Sequence, residues 1–407
     1  MIIRVSALSA LGVCEQDAAL AGLAQHRPRL VVIRYTQQPE PEVAVPSAER
    51  EVSQQGLCLD VCRITAPTGC LSCAIVDDLS RLLPELAGTD WARDVLVVLP
   101  LGVSAHTVLD GCAAIDSAAL APLGLTVGTV AIALDAATLE DQLWAAETLA
   151  DAHIAVAEDD LSLGEFLVGE LLLADTHILA NPGDQAGLEV ISEDVLAGIE
   201  LARHIAPQSR ATAVGGGLLA RLSRPELADT FDEDEASVRT ELGAVTVPVR
   251  SAGEVISSHV VRIERPLHPG RLSVAMHTVA AGCVWSRGLL WVASMPACRV
   301  GWIGVGPNVS FGDAGGWLAD GAERFRLDSL ALLTWHPAYG DRGSLLAFTA
   351  RELDAVGIEA ALQACELTDA ELELGLGYWA TQPDPLQLRA TFDHVHELDN
   401  EPHHEKE

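Results

Sequence analysis

The chain has 407 residues, 49% of them apolar, enough at ~150 residues per domain for about two to three domains with real cores. Its net charge is −33, from 58 acidic and 25 basic residues. That balance argues against a nucleic-acid binder, disfavours an anionic membrane surface and points to basic proteins or cations as charged partners. Ile2 to Leu8 reads as a short strand, without the basic stretch that opens a signal peptide. Leu30 to Tyr35 predicts a second strand, and Gly56 to Thr65, weakly alternating, a third. Ile75, Leu79, Leu82, Leu83 and Leu86 fall on one helical face. Val95 to Leu99 reads as a buried strand, Ser104 to Leu120 as helix and Val127 to Leu134 as strand. Helices are predicted over Thr138 to Asp151, Ser162 to Ala174 and Ser192 to Ile205, with a strand at His177 to Ala180. Glu165 and Glu170 interrupt the second of these helices, which is otherwise apolar. Strands alternating with helices predict an α/β fold, a parallel sheet with helices on both faces.

The pattern stops near residue 225. Phe231 to Glu235 is an acidic run without periodicity and reads as a linker or exposed loop. From Ser257 the chain changes character. His259 to Glu264 alternates like an antiparallel strand, and Trp285, Trp291, Trp302, Trp317 and Trp335 crowd among Gly-rich turns. Asp354 to Leu367 and Thr368 to Gly377 read as closing helices, which makes this a smaller α+β domain with its own core. The end, with His394, His396, His403 and His404 among carboxylates, predicts a disordered tail that at most binds Zn²⁺ or Ni²⁺ weakly. No apolar run reaches the ~20 residues needed to span a bilayer. Nine cysteines do not make a disulfide framework, and we expect a reducing cytoplasm.

The sharpest chemical feature is Thr68-Gly69-Cys70-Leu71-Ser72-Cys73, a Cys-x-x-Cys pair at a strand-to-helix turn. Two thiols at this spacing can chelate one soft ion, and a helix N-terminus favours the thiolate that metals bind. The alternative is a redox dithiol, although the usual Trp-Cys-Gly-Pro-Cys context is missing. Two thiolates do not close a tetrahedral shell, and Cys62, near the end of the entering strand, is the nearest candidate for a third ligand. As a pair, Cys58 and Cys62 read first as small buried hydrophobes. Asn181-Pro182-Gly183-Asp184 follows a strand and has the spacing of a guanine-reading loop, with Pro182 where a lysine is usual. By itself it reads as a turn. The first strand-to-helix connection, Ser9 to Gln16, holds Gly12 alone of a phosphate loop, and its Glu15 would repel an anion. The chain's one lysine is Lys406, and the strand ending Leu99-Pro100-Leu101-Gly102 offers no acid for Mg²⁺. No catalytic constellation is found.

Taken together, these motifs resemble the CobW-type GTPase and metallochaperone family. Gly69-Cys70-Leu71-Ser72-Cys73 keeps the outer cysteines of that family's Gly-Cys-x-Cys-Cys motif, and Asp77-Asp78-Leu79 continues it. Leu172 to Leu179 followed by Asn181 to Asp184 resembles its helix, strand and guanine loop. Arg265-Pro266-Leu267-His268-Pro269 resembles its Arg-Pro-Phe-His-Pro signature, and Ser286 to Ala293 its Lys-Gly-x-x-Trp-x-Ala strand. Gly315-Gly316-Trp317, Tyr339 to Arg342 and Leu367 to Glu371 also fit. The resemblance implies a degenerate P-loop GTPase-like domain over residues 1–225, an acidic linker at 226–255, a CobW-type C-terminal domain at 256–390 and a tail at 391–407. It implies Zn²⁺ at Cys70 and Cys73, with Cys62 the third candidate named above, and GTP at Asn181 and Asp184 if any nucleotide binds. Within the family the chain is most similar to the actinobacterial ribosome hibernation factor-recruiting GTPases. That branch implies an adaptor that brings a hibernation factor to small ribosomal subunit proteins under zinc starvation, here without GTP hydrolysis. The other expectation is a zinc metallochaperone, and the third is a dithiol redox protein.

Overall fold

The computed structural model describes residues 2–38, 45–67, 69–89, 91–117, 124–154, 161–180, 191–215, 227, 229, 231–249, 253–321 and 335–392. The chain divides into two compact units, the first running to Thr240 and including Gly253–Val255, the second holding Glu241–Ala252 and everything from Ile256.

The first unit is built on an eight-stranded sheet in the order β4-β3-β2-β5-β1-β6-β7-β8. Its strands are β1 (Ile2–Ala10), β2 (Val31–Gln37), β3 (Ser47–Gln54), β4 (Leu57–Thr65), β5 (Asp94–Val98), β6 (Gly124–Leu134), β7 (Thr176–Ala180) and β8 (Arg210–Val214). From β2 to β8 all neighbours are parallel. The sequence explains this centre: Val5, Ala7, Leu8 and Ala10, Val95 to Val98, and Val130 to Leu134 are buried along unbroken runs, as strands covered on both faces must be. The sheet is flanked by α1 (Val13–His26), α2 (Leu71–Ala87), α3 (His106–Ser117), α4 (Leu139–Trp144), α5 (Leu163–Leu173), α6 (Glu193–Ile205) and α7 (Glu233–Thr240).

Four sequence expectations change here. The sheet is mixed rather than wholly parallel, because β3 and β4 form an antiparallel hairpin on the β2 edge, turned by Gln55 (φ 54°) and Gly56 (φ 75°). Strand β3 escaped notice because Arg50 occupies one of its inward positions, between Ala48 and Val52. The helix expected over Thr138 to Asp151 stops at Trp144; beyond it Thr148 and Asp151 bond to each other in a turn. The acidic run at 231–235 opens helix α7, whose first-turn Glu233, Asp234 and Glu235 suit the positive end of the helix dipole. Arg239 of that helix donates to the Leu172 and Leu173 carbonyls at 2.7 Å each, which fastens α7 to the end of α5.

The second unit carries a five-stranded antiparallel sheet, β12-β11-β10-β13-β9. These strands are β9 (Ser257–Ile263), β10 (Trp285–Leu290), β11 (Cys298–Val305), β12 (Asn308–Gly316) and β13 (Ser344–Ala350). Helices α8 (Pro269–Ala280) and α9 (Ala355–Gln363) are followed by the short α10 (Asp369–Glu373) and α11 (Leu376–Trp379). The core joins Val261, Ile263, Leu290, Trp302 and Phe348 of the sheet to Leu272 and Val279 of α8 and Leu362 of α9. Gly288 sits at φ +155°, and a Cβ there would meet the Leu345 carbonyl oxygen at 2.0 Å, so β10 needs glycine where β13 passes. The Arg265–Pro269 signature is a helix start: His268 Nδ1 accepts the backbone N–H groups of Gly270 (3.0 Å) and Arg271 (3.2 Å), and Pro269 takes the first helical position. Arg271 then grips Glu371 with two 2.8 Å bonds. Leu388 and Phe392 are buried in this core, so it extends past residue 390, where the tail was expected to begin. The tail histidines lie outside the described residues. Among the described residues no helix is long and apolar enough to cross a membrane.

Candidate metal centre at the start of α2

Strand β4 runs in the same direction as β2, since each is antiparallel to β3. It therefore ends at the sheet edge where β1, β2 and β5 also end, and α2 begins there. Gly69 takes φ +91°, a backbone conformation that favours glycine, and turns the chain into the helix. Cys70 is the N-cap of α2, and its Sγ accepts the Cys73 N–H at 3.1 Å. The two cysteines are paired as a disulfide, with Cα atoms 5.4 Å apart. Cys70 is half-buried and Cys73 exposed, so the pair is open to solvent at a terminus that favours negative charge. Leu71, Ile75, Leu79 and Leu83 bury the other face of the helix.

The structure does not gather Cys62 into this pair. Cys62 precedes the end of β4 by three residues, about 10 Å of strand, while α2 starts beyond that end. It lies opposite Arg50 instead. Among the described residues no three His, Cys, Asp or Glu side chains come together to hold a metal ion. Cys58 and Cys62 are both exposed, against the expectation that they pack as small hydrophobes, because β4 is the outermost strand. Asn181 and Asp184 lie outside the described residues.

What holds α2 against the sheet is a buried polar network that the sequence reading did not single out. Asp78 (7% exposed) accepts two bonds from Arg50 (8% exposed) at 2.9 and 3.1 Å, and one from the Tyr35 hydroxyl at 2.8 Å. Arg50 also pairs with Asp60 of β4. Burial, then the Asp78 charge, pushes the Tyr35 hydroxyl far above its ordinary pKa, so it stays a donor. Arg50, Tyr35 and Cys62 occupy one row across β2, β3 and β4. The missed signal was the buried face of β3.

The starts of α1 and α3, which follow β1 and β5 at this edge, are occupied by the chain's own carboxylates. Glu15 folds back over the N-terminus of α1, so that its Oε2 lies 1.8 Å from where a Cβ on Gly12 would be. Glu170, fully buried in α5, accepts from the Ser104 hydroxyl at 2.6 Å and from the Ala105 N–H at 3.1 Å, where α3 begins. Burial raises the Glu170 pKa and the Ser104 hydrogen bond opposes the rise. Gln16 bonds the Leu99 carbonyl at 2.8 Å and receives Arg34 at 3.1 Å, while Arg34 pairs with Asp17 at 2.8 Å. A cleft of about 310 Å³ beside them is lined by Val13, Gln16, Arg34, Leu101 and His153. The described residues here do not fit a triphosphate: the helix terminus faces a carboxylate, and no lysine is present to reach a phosphate.

Residues 256–366 match the family model described as the cobalamin synthesis protein cobW C-terminal domain. The chain is 28% identical over 338 residues to the "Zinc-regulated GTPase metalloprotein activator 1" of Dictyostelium discoideum, covering 79% of this chain and 69% of that protein. It is 28% identical over 330 residues to a "Zinc chaperone" of Mycobacterium tuberculosis, covering 78% and 77%. Among solved structures it aligns with the Zn(II)-bound YjiA GTPase from E. coli over 90% of this chain and 100% of that one, at 17% identity and a TM-score of 0.32. Residues 256–366 thus carry the domain described as the cobW C-terminal domain, and over most of its length the chain is similar to zinc-linked proteins that share it.

Proposed function

We propose that this protein is a zinc metallochaperone, holding Zn²⁺ as cargo on Cys70 and Cys73 and acting without GTP hydrolysis. The observation that carries the reading is the solvent-open pair of sulfurs at the start of α2, where a sulfur stands in place of the carboxylates found at the starts of α1 and α3. Reduced, the pair offers two thiolates and leaves coordination positions for a client or for water. A site with two protein ligands holds zinc more loosely than a closed four-ligand site and can give it up. Binding displaces thiol protons, so affinity falls as pH falls. The names of the two relatives, a zinc-regulated activator and a zinc chaperone, agree with this reading.

Competitive chelator titration of the reduced protein tests it, with Cys70→Ser/Cys73→Ser alongside and circular dichroism to verify folding. Wild type takes up one zinc and the double variant none. A folded double variant that holds zinc as tightly as wild type sinks the proposal.

A finer role, an adaptor that brings a hibernation factor to the small ribosomal subunit, is favoured by the net charge of −33, which suits basic ribosomal proteins better than RNA. Cosedimentation with ribosomes from zinc-starved cells tests it, and absence of the protein from the 30S fraction refutes it.

A further inference from the structure

The geometry points to β4 as a self-association edge: two copies of this chain join through antiparallel pairing of their β4 strands about a twofold axis. Strand β4 is the last strand of the eight-stranded sheet, so among the described residues no further strand pairs with its outer side. Seven consecutive residues, Leu57 to Arg63, are exposed. Three of them are large and apolar: Leu57 at 67%, Leu59 at 45% and Val61 at 54%. Strand β4 is nine residues long and has neither the lysine nor the proline that most often blunt an edge. The opposite edge, β8, has five residues and exposes only Arg210 and Ala211. The bulge between Val52 and Ser53 of β3 lies toward the hairpin turn and leaves the stretch from Asp60 to Thr65 regular.

A second copy fits this edge by charge. The chain carries −33 overall, but β4 contains one acid, Asp60, and one base, Arg63, so two β4 strands meet without net charge. Asp60 is further neutralised by Arg50 of its own hairpin. Registers with Val61 or Cys62 on the axis place no like charges directly opposite, whereas one centred on Asp60 would. A twofold arrangement covers both edges at once and closes, so it stops at a dimer. Both permitted registers bring Cys62 of one copy within about 8 Å of Cys62 of the other, a direct or diagonal neighbour. Because attraction is local and apolar while repulsion is global, added salt must strengthen the dimer.

Sedimentation equilibrium of the reduced full chain over a hundredfold concentration range, at low and at 0.5 M salt, tests this. The expected result is a rise from 43.0 kDa toward twice that mass, shifted to lower concentration by salt. Val61→Lys remains at 43.0 kDa with an unchanged circular dichroism spectrum, while Val274→Lys, on an exposed position of α8, dimerises like wild type. A short bis-maleimide captures the dimer, and Cys62→Ser abolishes capture. A wild type that stays at 43.0 kDa throughout, a dimer that weakens in salt, or a folded Val61→Lys that dimerises normally overturns the inference.

Discussion

Replacing Asp78 by alanine strips the seat of α2 of its central acceptor. The carboxylate is 7% exposed and receives three hydrogen bonds, two from Arg50 and one from Tyr35. Without it the guanidinium of Arg50 remains buried with Asp60 alone, whose side chain is 54% exposed, and the buried Tyr35 hydroxyl loses its acceptor. Removing one partner of a buried pair costs about 3–5 kcal/mol. The surviving Asp60 contact places this case at the lower end, about 3 kcal/mol. At about 2–4 °C per kcal/mol for a unit of this size, the melting temperature of the first unit falls by roughly 6–12 °C. Asp60→Ala, at a half-exposed position, costs no more than about 1 kcal/mol. Arg50→Met/Asp78→Leu recovers most of the loss, because it removes both charges together. Thermal unfolding followed by circular dichroism measures all three. Cys70 lies eight residues, about 12 Å of helix, from Asp78, so zinc affinity below the transition stays within about twofold of wild type. A fall of less than about 2 °C for Asp78→Ala, or an Asp60→Ala as damaging as Asp78→Ala, would show that the pair does not anchor the helix.

Three further outcomes are expected. The purified protein shows no Mg²⁺-dependent GTP turnover above background in a phosphate-release assay; turnover that disappears on Asp184→Ala would refute the reading of the first strand-to-helix loop. Truncation after Ala390 removes the buried Phe392 and costs about 3 kcal/mol in urea unfolding, whereas truncation after Phe392 leaves the midpoint unchanged. Glu371 is held at a pKa of about 2, first by its hydrogen bonds from Arg271. Its contribution is therefore present above the unfolded value of about 4.3 and is lost as pH falls through about 2. Glu371→Gln should lower stability at pH 7 by about 1–2 kcal/mol after solvent screening, with the gap closing below pH 3. An undiminished gap at pH 2 would rule out the Arg271 pair as its source.

Sequence pattern revealed those elements whose apolar residues repeat without interruption. The central strands β1, β5 and β6 read as buried runs because they are covered on both faces, and the leucine stripe of α2 gave its position within a few residues. The pattern was misleading where charge does structural work. In β3 an inward arginine broke the alternation, and only the Asp78 partner, 28 residues further on, makes that arginine a buried residue. At 231–235 an acidic run read as solvated loop because its helix has few buried positions of its own and depends on Arg239 bonding into α5. Exposure of Cys58 and Cys62 follows from strand order, which alternation cannot supply: the same residues on an inner strand would have been buried. At the turn before α2 the spacing placed Cys70 and Cys73 as neighbours, since both belong to one helical turn. The third ligand failed because adjacency in sequence across a turn does not survive a strand and a helix that run in opposite directions.

The edge of the sheet where β1, β4 and β5 end bears directly on the proposed preference for a cation over a phosphate here. Helices α1, α2 and α3 begin there, after β1, β4 and β5, and a helix N-terminus, with its N–H groups and the positive end of its dipole, is an anion site by default. At α1 the space is taken by Glu15, and at α3 by Glu170, which arrives from α5 fully buried and bonded by Ser104 and Ala105. Those carboxylates are tethered, so any incoming phosphate would have to displace a group already held at high effective concentration. At α2 the corresponding position holds sulfur. A thiol is neutral until it loses its proton, and the same helix terminus that would have drawn phosphate instead favours the thiolate. Two thiolates neutralise one Zn²⁺, so loading this site adds no net charge to a chain that already carries −33. Under the proposed function, the reduced pair suits an ion that brings its own positive charge, and filling and emptying it would leave the electrostatics of the surrounding sheet edge unchanged.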